Sequence, residues 1–250
     1  MEPNQPINQL PNRKPNVINH NGSFESPVQL PPVVVPDGLI LHLSAARDGL
    51  FDEGGVTELI NGLPTEIVNG SPTFIDVAGD RRAWNFQNGE HIDIQDFSVP
   101  RDEFSVFARF RTANNASQTL MSEYLPTDRG FLFWTDNERL RTFYQSVGGS
   151  FRNGDLLNST GLTQLTDGTW RTAGATFQGG TIATNYFDGV RLNSDVTVPA
   201  LMNDSAAPFS VGAWNGTNSL FIGLIDEIRV YDRALNDDEH EELNNDVFTR

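Results

Sequence analysis

Most of the sequence is a succession of short segments with the two-residue periodicity of β-strands, separated by turns rich in glycine and asparagine. In the clearest segment, FSVFARFR at residues 104–111, apolar side chains alternate with polar ones, and Phe107 is the exception. Such segments recur about every 8–15 residues, and only one stretch has a helical signature. This spacing predicts an all-β fold in which two antiparallel sheets pack face to face.

Other strand candidates follow the same pattern. They lie at residues 39–43, 72–77, 82–86, 91–94, 118–123, 130–136, 139–146, 208–214 and 220–223. Residues 169–177 and 181–187 flank the sequence QGG and predict a β-hairpin, and Asp188-Gly189 predicts the next tight turn. The helical signature is LNDDEHEEL at residues 235–243, where Asn236 and Glu239 have the spacing of a capping box. The sequence therefore predicts one short helix near the C-terminus.

The first 37 residues differ in composition from the rest. They contain 8 of the 14 prolines and many asparagines, a composition that cannot build a core and favours extended backbone. We therefore expect an extended N-terminal arm over residues 1–37 and a β-sandwich over residues 38–250. The apolar positions that could anchor such an arm to neighbouring subunits are Ile7, Leu10, Val17, Ile18, Phe24 and Val34.

Charge and composition exclude several classes of function. The net charge of -16 is incompatible with binding nucleic acid by phosphate neutralisation, and no apolar run is long enough to span a membrane. The sequence has no cysteine, which excludes disulfides and thiolate metal sites. Its first residues lack the basic and apolar regions of a secretory signal, so we expect synthesis in a cytoplasm.

Several stretches together resemble one family. In order they are FDEGG (51–55), RAWNFQNGEHIDI (82–94), FSVFARFRT (104–112), DGTWRTAGATFQGGTIATNYFDGVRL (167–192) and FIGLIDEIRVYDRALNDDEHEEL (221–243). This series resembles a laminin-G-like domain of the concanavalin A-like lectin/glucanase superfamily, of the bacterial and phage type. The resemblance implies a jelly-roll sandwich of two antiparallel sheets that binds glycans or proteins and often holds a structural calcium.

The resemblance also suggests where a calcium ion could bind. Asp226 lies on an apolar strand face by parity with its neighbours, and the family's first and last strands are usually adjacent, which would bring Asp52 and Glu53 close to it. Carboxylates are suitable calcium ligands. In the alternative interpretation, Asp226 accepts hydrogen bonds at a β-bulge or pairs with an arginine such as Arg229 or Arg233.

Exposed aromatic side chains would be needed to bind a glycan. Trp134, Tyr144 and Trp214 lie near predicted strand ends or loops and are the candidates, whereas Trp84 and Trp170 lie in core-like patterns. The paired acids that glucanases of the superfamily carry on one strand have no counterpart, since neither E-x-D-x-E nor E-x-D-x-x-E occurs in the sequence. We therefore predict a protein that is not an enzyme.

These observations leave two functional hypotheses. The first is a phage virion component, either a capsid decoration or cement protein or a tail adhesin, made in the host cytoplasm. Its arm would dock on other capsid or virion subunits, with or without homo-oligomerisation, and its lectin-like domain would face outward, where it could bind surface glycans. The second is a secreted or cell-surface carbohydrate-binding module. A glycoside hydrolase is the least favoured interpretation.

Overall fold

The computed structural model describes residues 35–45, 58–68, 73–77, 81–87, 89–147, 151–154, 164–192, 196–214 and 218–249. Within them the chain forms fifteen strands and one helix. The strands are β1 (Leu39–Ser44), β2 (Thr65–Val68), β3 (Thr73–Val77), β4 (Arg81–Phe86), β5 (His91–Ile94), β6 (Glu103–Arg111), β7 (Gln118–Leu125), β8 (Asp128–Asp136), β9 (Arg139–Gln145), β10 (Phe151–Gly154), β11 (Trp170–Gln178), β12 (Ile182–Phe187), β13 (Val190–Arg191), β14 (Phe209–Val211) and β15 (Gly223–Tyr231). The helix, α1, spans Asp237–Thr249.

The strands form two antiparallel sheets, as the periodicity predicts. The eight-stranded sheet has the order β13-β12-β11-β6-β15-β4-β3, and β1 pairs with the second half of β15. The seven-stranded sheet has the order β10-β9-β8-β7-β14-β5-β2. Strands distant in sequence are therefore neighbours, which is the connectivity of a jelly roll. The predicted all-β fold with one C-terminal helix is confirmed.

The core lies between the two sheets and is rich in phenylalanine. Phe104 stacks on Phe177 with ring centroids 5.4 Å apart and meets Phe131 edge-on at 5.2 Å. These rings come from both sheets, since β6 and β11 belong to one and β8 to the other. Burial of large rings across the interface is the main force that holds the sheets together.

Helix α1 packs against the outer face of the eight-stranded sheet. Phe107, the exception in its strand, projects outward and packs with Leu243 and Val247 of the helix. The predicted capping box is present. The backbone N–H of Asn236 donates to Glu239 Oε2 at 2.9 Å, and the backbone N–H of Glu239 donates to Asn236 Oδ1 at 3.0 Å. An apolar residue on the polar side of a strand therefore marks the docking site of the helix.

A buried charged network also fastens the helix to this sheet. Arg229 of β15 donates hydrogen bonds to Glu227 at 2.8 Å and to Asp246 of α1 at 3.0 Å. Glu227 Oε1 also lies 2.6 Å from His42 Nε2 of β1, within hydrogen-bond distance. Burial alone would raise the pKa of Glu227, but the Arg229 and His42 side chains outweigh it and hold the pKa well below its usual range. The network therefore links the first strand, the last strand and the helix.

A cleft of about 480 Å³ lies where the start of α1 meets β11 and β12. The Tyr186 hydroxyl donates to Asp237 at 2.8 Å, and Thr176 Oγ1 lies 3.0 Å from His240 Nε2. Burial lowers the pKa of His240 to about 3, so the imidazole is neutral at ordinary pH. These hydrogen bonds hold the start of α1 against β11 and β12.

Candidate binding face

The outer face of the seven-stranded sheet carries a cluster of apolar and aromatic side chains. Tyr124, Leu132 and Phe143 are buried in it, and Trp134 and Trp214 are partly exposed against them. We call these five residues the aromatic face. The sheet presents them outward because Phe131 and Phe133, which alternate with Leu132 and Trp134 on β8, point into the core.

Perpendicular ring contacts hold the aromatic face together. The Tyr124 ring lies 5.0 Å from that of Trp214 and 5.4 Å from that of Phe143, both in edge-to-face arrangements. Such pairs contribute about 0.5–1.5 kcal/mol each beyond the burial of their area. The buried rings thus form a firm floor beneath the partly exposed indoles of Trp134 and Trp214.

Two arginines lie beside these rings, and a third lies further along the same strand face. The Arg129 guanidinium is 5.7 Å from the centre of the Tyr124 ring, and that of Arg141 is 6.0 Å from the centre of the Trp134 ring. Arg141 also pairs with Asp136 at 3.3 Å, and Arg139 lies two residues earlier on the same face of β9. The candidate site therefore combines apolar surface with positive charge.

A tight turn joins the two strands that carry most of these side chains. β8 ends at Asp136 and β9 begins at Arg139, and the two residues between them, Asn137 and Glu138, have φ values of 49° and 60°. Positive φ at both central positions is what a type I′ hairpin requires, and glycine is the usual second residue. Glutamate at such a position is unusual and costs conformational energy.

The structure places two of the three predicted glycan-binding residues on the aromatic face and the third in the core. Trp134 and Trp214 both lie on the aromatic face. Tyr144 is only 1% exposed and packs in the core against Phe177, with ring centroids 5.3 Å apart, so it cannot stack on a ligand. On β9 the inward positions are Leu140, Thr142 and Tyr144, and Phe143 is the aromatic residue that faces outward.

The two tryptophans predicted to pack in the core differ from one another. Trp84 is fully buried in the core, as predicted. Trp170 is partly exposed and lies on the outer face of the eight-stranded sheet, with the Arg109 guanidinium 4.3 Å from its ring centre. Trp170 can therefore serve as a control for Trp134, because both side chains are partly exposed and they lie on opposite sides of the sandwich.

Asp226 does not lie on the face of β15 that simple alternation along the strand predicts. A β-bulge interrupts the pairing of β15 with β6 between Ile225 and Glu227, so Ile225 and Ile228 both face the core and Asp226 does not. The Asp226 carboxylate forms a buried ion pair with Arg109 of β6, rather than with Arg229 or Arg233. The bulge and an arginine partner, both part of the alternative interpretation, are thus present, but the arginine is Arg109.

This geometry bears on the predicted calcium site. A guanidinium already neutralises Asp226, so the carboxylate is a poor cation ligand here and the described part of the site does not fit a calcium ion. The other two predicted ligands, Asp52 and Glu53, lie outside the described residues. Within the part of the chain that is described, no group of three or more histidine or acidic side chains could hold a metal ion.

One further titratable group lies near the end of strand β7, in the middle of the seven-stranded sheet. Glu123 accepts hydrogen bonds from the Ser98 hydroxyl at 2.6 Å and the Val99 amide at 3.1 Å, and Ser98 lines a cavity of about 430 Å³. Burial raises the pKa of Glu123 to about 7, although the Ser98 bond opposes the shift. Glu123 thereby ties the segment after β5 to strand β7.

The remaining predicted site residues belong to the arm. Ile7, Leu10, Val17, Ile18, Phe24 and Val34 lie outside the described residues. Over the described ranges, no helix combines the length and apolar character that a membrane span requires.

Two antiparallel sheets with jelly-roll connections and an aromatic outer face define the class of lectin-like β-sandwiches. Residues 86–239 match a family described as the concanavalin A-like lectin/glucanases superfamily. The match covers more than half of the sequence, and the chain belongs to this superfamily. The predicted family is therefore confirmed. No curated protein sequence matches the chain.

Similar solved structures include two kinds of domain. The binding domain of Paraclostridial Mosquitocidal Protein 1 aligns with a TM-score of 0.65 and 16% identity, over 84% of this chain and 52% of that one. The receptor-binding domain of botulinum neurotoxin type G aligns with a TM-score of 0.60 and 18% identity, over 84% of this chain and 52% of that one. The chain thus spans about half the length of these toxin domains.

A shorter domain aligns over nearly its whole length. Domain 4 of AbnA, an extracellular GH43 arabinanase from Geobacillus stearothermophilus solved in complex with arabinotriose, has a TM-score of 0.61 and 20% identity, over 82% of this chain and 98% of that one. At these identities the likeness establishes the fold alone.

Proposed function

We propose that the chain is a binding module without catalytic activity and that its aromatic face binds carbohydrate. The observation that carries the proposal is the pair of partly exposed indoles, Trp134 and Trp214, held against a buried floor of Tyr124, Leu132 and Phe143. Aromatic rings fixed in this way offer flat apolar surface for the C–H face of a sugar ring, and neighbouring polar groups can bond its hydroxyls.

The position of the aromatic face favours a ligand over a structural role. On the eight-stranded sheet, outward apolar side chains such as Phe107 pack beneath α1. On the seven-stranded sheet, no helix of the described chain covers the corresponding cluster. Apolar surface that remains partly exposed on a soluble domain commonly marks an interaction site.

The structural relatives are consistent with this proposal. One was solved with arabinotriose and two are named as binding or receptor-binding domains. We infer the absence of catalysis from the sequence, in which the acid spacing of the superfamily's glucanases does not occur.

The test is saccharide binding by the full chain and by single tryptophan variants. A glycan array of neutral and acidic oligosaccharides would find ligands, and calorimetry would measure their affinities. We expect Trp134→Ala and Trp214→Ala each to weaken binding about tenfold, since loss of an aromatic anchor costs about 1.4 kcal/mol or more.

Trp170→Ala is the matched control, because this partly exposed tryptophan lies on the opposite sheet. It should keep the wild-type affinity, and thermal melts would show which variants remain folded. Equal losses from all three folded variants would refute the proposal, as would an array on which the chain binds nothing.

We also propose, from the composition of residues 1–37, that the module is displayed on a phage particle through its arm. A proline-rich extended segment with spaced apolar residues is suited to docking on neighbouring subunits, where it gains order on binding. The full chain should then co-sediment with purified particles, whereas residues 38–250 should not. Equal co-sedimentation of both would leave a carbohydrate-binding module of extracellular location as the better hypothesis.

A further inference from the structure

Three arginines lie on the strands around Trp134, although the chain as a whole is acidic. The chain has a net charge of -16, yet the side chains beside the aromatic face include Arg129, Arg139 and Arg141. Asp128, Asp136 and Glu138 on the same hairpin balance these charges in number, so a preference for an anionic ligand depends on which arginine can contact the ligand.

Two of these carboxylates are engaged by other groups. Asp136 pairs with Arg141 and accepts a hydrogen bond from the Asn137 amide group at 2.8 Å. Asp128 accepts from Asn203 at 3.1 Å and from the Ala206 backbone at 2.7 Å. These acids are therefore held in local structure.

Arg139 differs from its neighbours in this respect. Its side chain forms no ion pair with any described residue, and Glu138, which precedes it in the turn, forms none either. Its guanidinium is partly exposed on the same face of the sheet as Trp134. Among the described residues, therefore, no carboxylate competes with a ligand for the Arg139 guanidinium.

The hairpin register brings Arg139 within reach of a ligand on Trp134. Trp134 pairs with Arg141 and Asp136 pairs with Arg139 across the two strands. Trp134 and Arg139 are consequently diagonal neighbours, about 7–8 Å apart at the backbone, a separation that long side chains can span. A sugar ring above Trp134 would direct a carboxylate substituent toward Arg139.

From this arrangement we propose that the aromatic face selects acidic saccharides, with the sugar ring on Trp134 and its carboxylate bound by Arg139. This proposal rests on the proposed function of the same site. The planar guanidinium can bind a carboxylate through two parallel hydrogen bonds, which a neutral hydroxyl cannot accept in the same way. Arg139 would then be the residue that determines specificity.

The test compares acidic oligosaccharides with their methyl esters, which keep the ring and remove the charge. Suitable probes are trisaccharides that contain galacturonic, glucuronic or sialic acid. We expect the full chain to bind at least one acid about tenfold more tightly than its ester. Arg139→Gln should abolish that preference, because the affinity for the acid should fall to about that for the ester.

Two further variants separate this inference from the proposed function. Trp134→Ala should weaken binding of acid and ester alike. Arg82→Gln changes the net charge equally, at a partly exposed arginine on the eight-stranded sheet, and should leave the preference intact. Equal binding of every acid and ester, or a preference that survives Arg139→Gln, would overturn the inference and leave the proposed function standing. Failure to bind any saccharide would overturn both.

Discussion

The outer faces of both sheets carry aromatic and arginine side chains, but those beneath α1 on one sheet are covered, and the indoles on the other are partly exposed. The eight-stranded sheet carries Phe107 and the buried Arg229 network, and both are covered by α1. The seven-stranded sheet carries the aromatic face, where the indoles and arginines stay partly exposed. On the first sheet a helix of the same chain buries the apolar residues of the outer face, and on the second we propose that a ligand covers them.

The largest expected effect is on the covered face. Arg229→Met leaves Glu227 and Asp246 buried without their cation, so we expect a loss of about 3–5 kcal/mol in the free energy of unfolding. Arg141→Met removes a partly exposed pair with Asp136 and should cost less than about 1 kcal/mol. Urea denaturation measures both. Similar losses for the two variants would contradict the contrast between the faces.

The next effect concerns the pH dependence of stability. The pKa of Glu123 is raised from 4.5 to about 7, so the unfolded chain releases this proton at lower pH than the folded chain. Stability should therefore fall as pH rises from about 4.5 to 7, by about 3 kcal/mol from this group. In Glu123→Gln that decline should disappear, since the amide does not titrate and can accept from the Val99 amide while it donates to the Ser98 hydroxyl oxygen.

His240, a buried residue of α1, gives stability the opposite dependence on pH. Its pKa is lowered from 6.5 to about 3, so its contribution to stability is present above pH 6.5 and is lost as pH falls toward 3. Urea melts of Glu123→Gln between pH 3 and 8 should retain this acid-side loss. If the stability of Glu123→Gln still declines between pH 4.5 and 7 as in the wild type, Glu123 is not the group that causes this decline.

A smaller effect distinguishes the two type I′ hairpins. Glu138 has a φ of 60° in the β8–β9 turn, whereas the β12–β13 turn uses Asp188 and Gly189. Glu138→Gly should stabilise the fold by about 0.5–1 kcal/mol by relieving the left-handed conformation.

Gly189→Ala is the converse test. A Cβ there would lie 2.9 Å from Cβ of Asn244 and 3.1 Å from Cα of Glu241, so the variant should be destabilised. Thermal melts of both variants give the comparison. No gain from Glu138→Gly would mean that the turn is not strained.

Local sequence rules predict much of the fold because neighbouring residues determine the structures involved. The capping box of Asn236 and Glu239 and the turn at Asp188-Gly189 are confirmed at the predicted positions. The short strands β2, β10 and β13 were not predicted, since two to four residues carry too little periodicity. Helix α1 extends to Thr249, six residues beyond the predicted signature.

The candidate site was harder to predict because it depends on strand parity. The bulge at Asp226 shifts one residue between faces, and no local pattern in an apolar strand reveals such a shift. Tyr144 could have been placed correctly, because Arg139 and Arg141 set the outward parity of β9 and assign Phe143 to the outside. The same alternation was the available signal for Arg139, which was not predicted as a site residue.

The central claim is that the aromatic face binds saccharide, and the four tryptophans of the chain allow a direct test. In protein labelled with 5-fluorotryptophan, each tryptophan gives one fluorine resonance, and single Trp→Phe variants assign them. On titration with the tightest-binding saccharide, we expect the Trp134 and Trp214 resonances to shift while those of buried Trp84 and of Trp170 stay in place. A shift of Trp170 alone, or saccharide binding that leaves Trp134 and Trp214 unmoved, would contradict the claim.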